Sequence, residues 1–354
     1  MSIATLLRGT DTLPTGVCET SAVSEREDAR PAAAPVLDEA APAITSIDVG
    51  TGGFESFNAV YLVAARQPAL VETGPGADVA TVLDALDRLG LDAGDLAHLV
   101  VTHVHVDHAG GAGALLRRFP SATLWVHELG APHVVDPTRL VASTARTYGE
   151  ERMRELYGET LPCPSERVRV MTHGTTVSLG DRELEVIHAP GHASHHVALL
   201  ETASGAMFTG EAIGSHLPWA DCYRPALPPP EVDVEAALAS IDRMRDRGPS
   251  RLLTSHFGPI GDPQEGFDRG AMRIRAWADT VRRSLETEPA LTIDALVDTL
   301  TEQAREDYEA DSGQPFDLER YDAIGSIRMN AQGLARYWRT RWERETGTAP
   351  PAVS

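Results

Sequence analysis

Seven consecutive residues constrain this chain more than any other feature. Thr102-His103-Val104-His105-Val106-Asp107-His108 holds three imidazoles and a carboxylate, behind the apolar run Leu99-Val100-Val101 and ahead of Ala109-Gly110-Gly111. A strand through this run would turn His103 and His105 to one face, because strand side chains alternate. A turn after it would present Asp107 and His108 to a second position nearby. These groups are costly to bury without a partner, and a metal ion is the simplest one.

The other histidines point the same way. All 13 lie between His98 and His256, and the last 98 residues have none. In His188-Ala189-Pro190-Gly191-His192, the Pro-Gly pair makes a sharp turn suited to projecting His192 into a site. His195 and His196 follow, and with His188 they read first as hydrogen-bonded packing, with a functional role as the alternative. Glu211 comes just after the strand-like run ending Thr209-Gly210, and His256 just after the run 251–254. Alone, each of these last two signals is weak.

Strand-like runs at 44–49, 59–64, 69–72 and 99–102 alternate with helical stretches at 78–89 and 111–119. Further strands are predicted at 123–126, 168–171, 184–188, 197–201, 206–209 and 251–254, with a helix at 234–247. This order predicts sheet packed on sheet with helices outside. Residues 1–43 lack an apolar period and read as a disordered arm. The segment 131–165 interrupts the strand rhythm and reads as a helical insertion forming a pocket wall or lid. From 261 to 345 the pattern is helical. Thr292 is placed to cap a helix carrying Ile293, Leu296, Val297 and Leu300; Trp277, Val281 and Leu285 form a second stripe, and 321–343 a third, with Ile324, Ile327, Leu334 and Trp338.

Composition removes whole classes of function. The formal charge is −21, which repels phosphate backbones and speaks against nucleic-acid partners. There is no lysine, which rules out Schiff-base and P-loop chemistry. The three cysteines, Cys18, Cys163 and Cys222, are odd in number and widely spaced, which speaks against a disulfide scaffold. No apolar run is long enough to span a membrane, and no signal peptide is evident, so a cytoplasmic location and no membrane partner are expected.

The segments His103-x-His105-x-Asp107-His108, Pro190-Gly191-His192, Thr209-Gly210-Glu211 and Ser255-His256, with Val71-Glu72-Thr73-Gly74, resemble the metallo-β-lactamase superfamily in this order. The likeness covers about residues 44–260 and is strongest to the bridging-carboxylate lactonase and glyoxalase II-like branch. It implies an α/β (α+β) fold, an αββα sandwich, here with a C-terminal helical extension. It also implies two divalent metal ions, zinc first, with iron or manganese compatible with the same ligands. By the resemblance His103, His105 and His192 hold one metal, Asp107, His108 and His256 the other, and Glu211 bridges them. Glu72 stands behind the ligands as an anchor. Both glutamates occupy positions where the family usually has aspartate, and each adds about one C–C bond of reach.

A metal pair lowers the pKa of a shared water and supplies hydroxide for attack on a carbonyl. The expected function is therefore a dinuclear metal-dependent hydrolase of an ester, lactone or thioester in a small organic substrate. A di-iron oxidoreductase or oxygenase on the same ligands is the alternative, and a non-catalytic metal-binding protein a third. Asp107, His216 and Tyr223 are the candidate catalytic residues; His216 would take a leaving-group or oxyanion role, since no tyrosine follows Glu211 closely. Ser194 and Ser215 sit in no Gly-x-Ser-x-Gly elbow and are assigned to structure. The segment 214–230, with its aromatic and proline residues, is expected beside the metals. The C-terminal helices would either cover the pocket or pair two chains as a homodimer, and Arg336, Trp338, Arg339, Arg341 and Trp342 form a basic-aromatic patch there.

Overall fold

The computed structural model describes residues 35–323 and 326–347. The first sheet runs, in spatial order, β1 (Val36–Ala41), β2 (Ile44–Asp48), β3 (Ala59–Val63), β4 (Ala69–Val71), β5 (His98–Val100), β6 (Thr123–His127) and β7 (Val168–Met171). Pairing is antiparallel from β1 to β4 and parallel from β4 to β7. The second sheet contains β8 (Thr176–Ser178), β9 (Glu183–His188), β10 (Val197–Glu201) and β11 (Ala206–Gly210). A separate hairpin, β12 (Ser215–Leu217) with β13 (Cys222–Arg224), comes next in the chain. It is followed by β14 (Arg251–Thr254), which joins the second sheet parallel to β11.

The helices are α1 (Val79–Arg88), α2 (Val106–Ala109), α3 (Ala112–Arg118), α4 (Ala131–Val135), α5 (Thr138–Tyr148), α6 (Glu150–Tyr157), α7 (Val234–Arg245), α8 (Pro263–Thr287), α9 (Ile293–Ser312), α10 (Leu318–Tyr321) and α11 (Ser326–Thr346). Strand periodicity sorts them into layers. In β3, Tyr61 and Val63 enter the core between the sheets, where Tyr61 meets Phe208 and Leu253. Its neighbours Val60 and Leu62 face the opposite way, toward Val82, Leu86 and Leu115 of α1 and α3. On the far side, Met207 and Leu252 of the second sheet pack with Ile241, Phe267 and Trp277 of α7 and α8. Strands such as β3 and β11 thus feed two cores, and the four layers are helix, sheet, sheet, helix.

The C-terminal helices are set by ordinary caps. The Asp262 carboxylate accepts from the Gln264 and Glu265 amides, with Pro263 at the first helical turn, and the Thr292 hydroxyl accepts from Ala295 N. Trp277, Val281 and Leu285 are buried, and the Trp277 indole donates to Asp307. The basic-aromatic patch is used within the chain: Trp338 donates to Ala278 O, Arg336 to Pro230 O, Arg339 to Leu291 O, and Arg341 pairs with Glu235 and Glu345.

Two expectations need adjustment. Residues 36–41, read as part of the arm, form the edge strand β1, with Ala40 and Ala41 buried against the inter-sheet core. Its mixed polar sequence follows from lying at an edge, where one side is open. The rest of the arm, with Cys18, lies outside the described residues, as does Ile324. The strand before the histidine cluster stops at Val100, so His103 and His105 stand in a loop and His108 on α2. No helix among the described residues is long and apolar enough to cross a membrane.

Candidate metal centre

Every predicted ligand lies beyond the C-terminal end of a strand: His103 to His108 after β5, His192 after β9, Glu211 after β11 and His256 after β14; Glu72, the expected anchor behind them, follows β4. Two chain devices bring them together. Gly191 adopts φ +140 and lies so close to α7 that a Cβ would come within 2.4 Å of the Ala237 backbone, which fixes the turn carrying His192. His196, buried, accepts the Glu211 amide proton at Nε2 (3.1 Å) and anchors the turn at Glu211.

The structure brings all seven predicted metal ligands into one cluster. His103 Nε2, His105 Nδ1, one nitrogen of His192 and one Glu211 oxygen all lie within 4.8 Å of one another, as do the donor atoms of Asp107, His108 and His256. The Glu211 carboxylate touches both groups: Oε2 is 2.9 Å from His192 Nε2, 3.3 Å from His103 Nε2 and 3.4 Å from His108 Nε2, and Oε1 is 3.5 Å from His256 Nε2. Asp107 Oδ2 lies 3.3 Å from His108 Nε2 and 3.4 Å from His256 Nε2.

The outward-facing nitrogens are held separately. His192 Nδ1 is 2.9 Å from Ala226 O, and His256 Nδ1 is 2.8 Å from Phe57 O. His103 Nδ1 faces Thr102 Oγ1 (3.0 Å), which itself donates to Glu72 at 2.5 Å. His108 Nδ1 points at Glu72 Oε1, 3.7 Å away. A ring whose far N–H is taken by an acceptor turns a lone pair inward, and this is how proteins orient imidazoles on metals. Inside the cluster, and among the described residues, His108 Nε2 is buried with carboxylate oxygens at 3.3 and 3.4 Å but no aligned hydrogen bond, and His105 Nδ1 is met by two other imidazoles, at 3.1 and 2.9 Å. Such a donor set fits a divalent cation and is hard to account for without one. Glu72 sits behind His103 and His108, its carboxylate also accepting from Ser255 Oγ (2.8 Å).

The electrostatics agree. Burial opposes ionisation of Glu211, yet His192 and His256 hold its carboxyl well below the usual range. Asp107 is likewise held down, by His108 and His256 against burial. Burial and the neighbouring His192 depress His105 to about 4, leaving it a neutral ligand near pH 7.

Above the cluster opens a cavity of about 280 Å³. Its floor includes His105, Asp107, His192, Glu211 and His256; its walls come from α5, the segment 225–231 and α11. Two predicted catalytic residues do not reach it. His216 Nδ1 lies 3.1 Å from Phe257 O and its Nε2 3.2 Å from Asp221, while the Tyr223 ring is buried under the Arg269 guanidinium. Their places as catalytic candidates are corrected accordingly: β12 and β13 carry both side chains away from the cavity. In their stead the cavity is lined by Tyr148 and Tyr157 from the insertion and by Arg224 from β13. The signal for the tyrosines lay in the insertion itself, a helical segment that interrupts the strand rhythm and carries both of them. His195 also lines the cavity, whereas His188 turns to Ser194 O and stacks on His127.

A two-sheet sandwich with a histidine–carboxylate cluster at the strand ends defines a metal-binding αββα protein. The metallo-beta-lactamase superfamily profile matches residues 53–256, and the chain belongs to that superfamily. Among characterised relatives, an acyl-coenzyme A thioesterase, MBLAC2, from Gallus gallus is 29% identical over 170 residues, 46% of this chain and 57% of that protein. A hydroxyacylglutathione hydrolase from Aeromonas hydrophila is 30% identical over 159 residues, 45% of this chain and 47% of that one. The chain therefore spans about half the length of these two hydrolases. Among solved structures, the archaeal superfamily protein ST1585 from Sulfolobus tokodaii superposes with a TM-score of 0.60 at 20% identity, covering 82% of this chain and 98% of its own. It supports the fold.

Proposed function

We propose that this protein is a hydrolase of small carbonyl esters, thioesters or lactones that works with two divalent metal ions, zinc in the first instance. The observation that carries the reading is the inward convergence of imidazole nitrogens whose outer nitrogens are already held, at the floor of a cavity sized for a small organic molecule. Metal ions held there supply Lewis-acid polarisation of a carbonyl and a water acidic enough to ionise near neutral pH. His103, His105 and His192 would hold one ion, Asp107, His108 and His256 the other, with Glu211 between.

The chain contributes the rest. Phe57, Leu140 and Leu227 give the cavity apolar surface that excludes water around an acyl chain. Burial raises the Tyr148 phenol, so it stays protonated at neutral pH; its hydroxyl donates to Met329 Sδ at 3.3 Å, an acceptor that a carbonyl oxygen gaining charge would replace. The named activities of the thioesterase and hydroxyacylglutathione hydrolase support thioesters as the first substrates to try. The acidic surface keeps nucleic acid out of consideration as a substrate.

The test is elemental analysis and an absorption spectrum on protein purified without added metal, followed by assays against thioesters, esters and lactones. About two zinc ions per chain, no visible band and turnover of one class are expected. Two irons with a visible band and oxygen consumption, without hydrolysis, would overturn the hydrolytic reading in favour of oxidation.

A further inference from the structure

Arg224 is buried, 4% exposed, and lines the cavity beside the candidate metal centre. Among the described residues no carboxylate lies within ion-pairing distance of it. Among the described residues its side chain makes one hydrogen bond, from Nη1 to Tyr321 O, its Nε is buried without a partner, and its guanidinium lies over the rings of Phe57 and Tyr321. Other arginines of this chain are treated differently. Arg273 is paired with Asp307 and Asp311, and Arg269 with Asp221, Glu265 and Asp311. Although the chain has 52 acidic residues, none among the described residues pairs with this buried, cavity-lining guanidinium. A buried guanidinium offers five N–H donors and needs a counter-charge to offset desolvation.

Directly across the β12–β13 hairpin, Ser215 is the register partner of Arg224. Cross-strand partners present their side chains on one face, about 5 Å apart. Ser215 is also buried on the cavity wall, and its hydroxyl has no hydrogen-bond partner among the described residues. Although the residue was assigned to structure, it makes with Arg224 a fork of donors beside His256.

We infer that Arg224 and Ser215 form a carboxylate-binding subsite, so that the substrate is an anionic acyl compound, carrying a carboxylate on its acyl chain or on its leaving group. This rests on the hydrolytic reading for the word substrate, but the subsite itself does not. The guanidinium would take the carboxylate in a bidentate pair, and the serine hydroxyl would donate a third hydrogen bond. The cavity's apolar walls then accommodate the chain between carboxylate and carbonyl.

Three thioesters separate the sources of the charge: the pentanoyl thioester of N-acetylcysteamine, which is neutral; the glutaryl thioester of the same thiol; and the pentanoyl thioester of 3-mercaptopropionate. For the metal-loaded wild type, kcat/KM for one of the two anionic compounds should exceed that for the neutral one at least tenfold. Arg224→Gln should erase that ratio, Arg224→Lys restore part of it, and Ser215→Ala reduce it several-fold. Equal rates for all three in the wild type, or one common loss across all three in Arg224→Gln, would overturn the subsite and leave Arg224 as a tie to Tyr321. If no thioester is turned over, ester and lactone assays decide the hydrolytic reading separately, and calorimetric titration with glutarate still decides the subsite. Binding at least tenfold tighter in wild type than in Arg224→Gln supports it; equal binding, or none, refutes it.

Discussion

Glu72 offers the most exacting test of the centre, because it touches no metal-facing atom yet should govern metal affinity. It is 1% exposed. Its Oε1 accepts from Thr102 Oγ1 at 2.5 Å and Ser255 Oγ at 2.8 Å, its Oε2 from Thr102 N at 3.3 Å, and Oε1 faces His108 Nδ1 at 3.7 Å. Through Thr102 it also orients His103. Glu72→Gln keeps the volume and removes the charge. The amide oxygen can still take the place of Oε1 and accept from the two hydroxyls, but the amino group then replaces Oε2 and confronts the Thr102 N–H, leaving that buried donor unpaired. That unpaired donor and the weaker neutral bonds together cost about 2–3 kcal/mol of stability. Loss of the carboxylate behind a ligand histidine lowers metal affinity about 10- to 100-fold, which is about 1.4–2.8 kcal/mol. Competition with a chromophoric chelator measures affinity, and urea unfolding of metal-free protein measures stability. An affinity within threefold of wild type would refute the orienting role, and a loss of stability alone would make Glu72 merely a core acceptor.

Other outcomes are equally direct. His105→Ala should lose metal and turnover while circular dichroism stays that of the folded sandwich; normal metal stoichiometry with full turnover would remove His105 from the ligand set. Tyr148→Phe should lower kcat about 10- to 100-fold with little change in metal content if its phenol donates to the developing oxyanion, and unchanged kcat on the preferred substrate would exclude that role. Gly191→Ala would drive a methyl into α7 at a strained φ, costing about 2–4 kcal/mol and displacing His192, which unfolding and metal titration would read together. Burial raises the Asp78 carboxyl to about 6 despite a hydrogen bond from Thr51. Between about pH 4 and 6 the folded chain therefore keeps a proton that the unfolded chain has released, and this contribution to stability is lost as pH rises. Asp78→Asn should thus gain about 1–2 kcal/mol relative to wild type between pH 4 and pH 7, and a difference flat with pH would contradict the assignment.

The ligands were legible because their chemistry is local. Each follows an apolar strand run and a turn, so spacing alone puts His103, His192, Glu211 and His256 at strand ends. Which strands lie side by side is a non-local matter, and the convergence needed the fold. The walls were harder. His216 and Tyr223 drew attention by their distance along the chain from Glu211, but the β12–β13 register determines where side chains face, and it sends Arg224 and Ser215 to the cavity instead. Tyr148 is far from the ligands in sequence and near them in space. Strand β1 was missed because an edge strand needs only one apolar side, and Val36–Ala41 shows little alternation.

The origin of the ligands has a thermodynamic consequence. His103, His105, Asp107 and His108 hang from the first sheet, while His192, Glu211 and His256 hang from the second. Neither half of the sandwich alone owns a complete coordination sphere, so tight metal capture is conditional on the two halves docking. Metal bound there would act as a clasp across the inter-sheet core, adding RT ln(1 + [M]/Kd) to the work of prising the layers apart, about 4 kcal/mol at a thousandfold excess over Kd. Chelation should accordingly loosen the whole sandwich rather than a loop, and metal release becomes a clock for its opening.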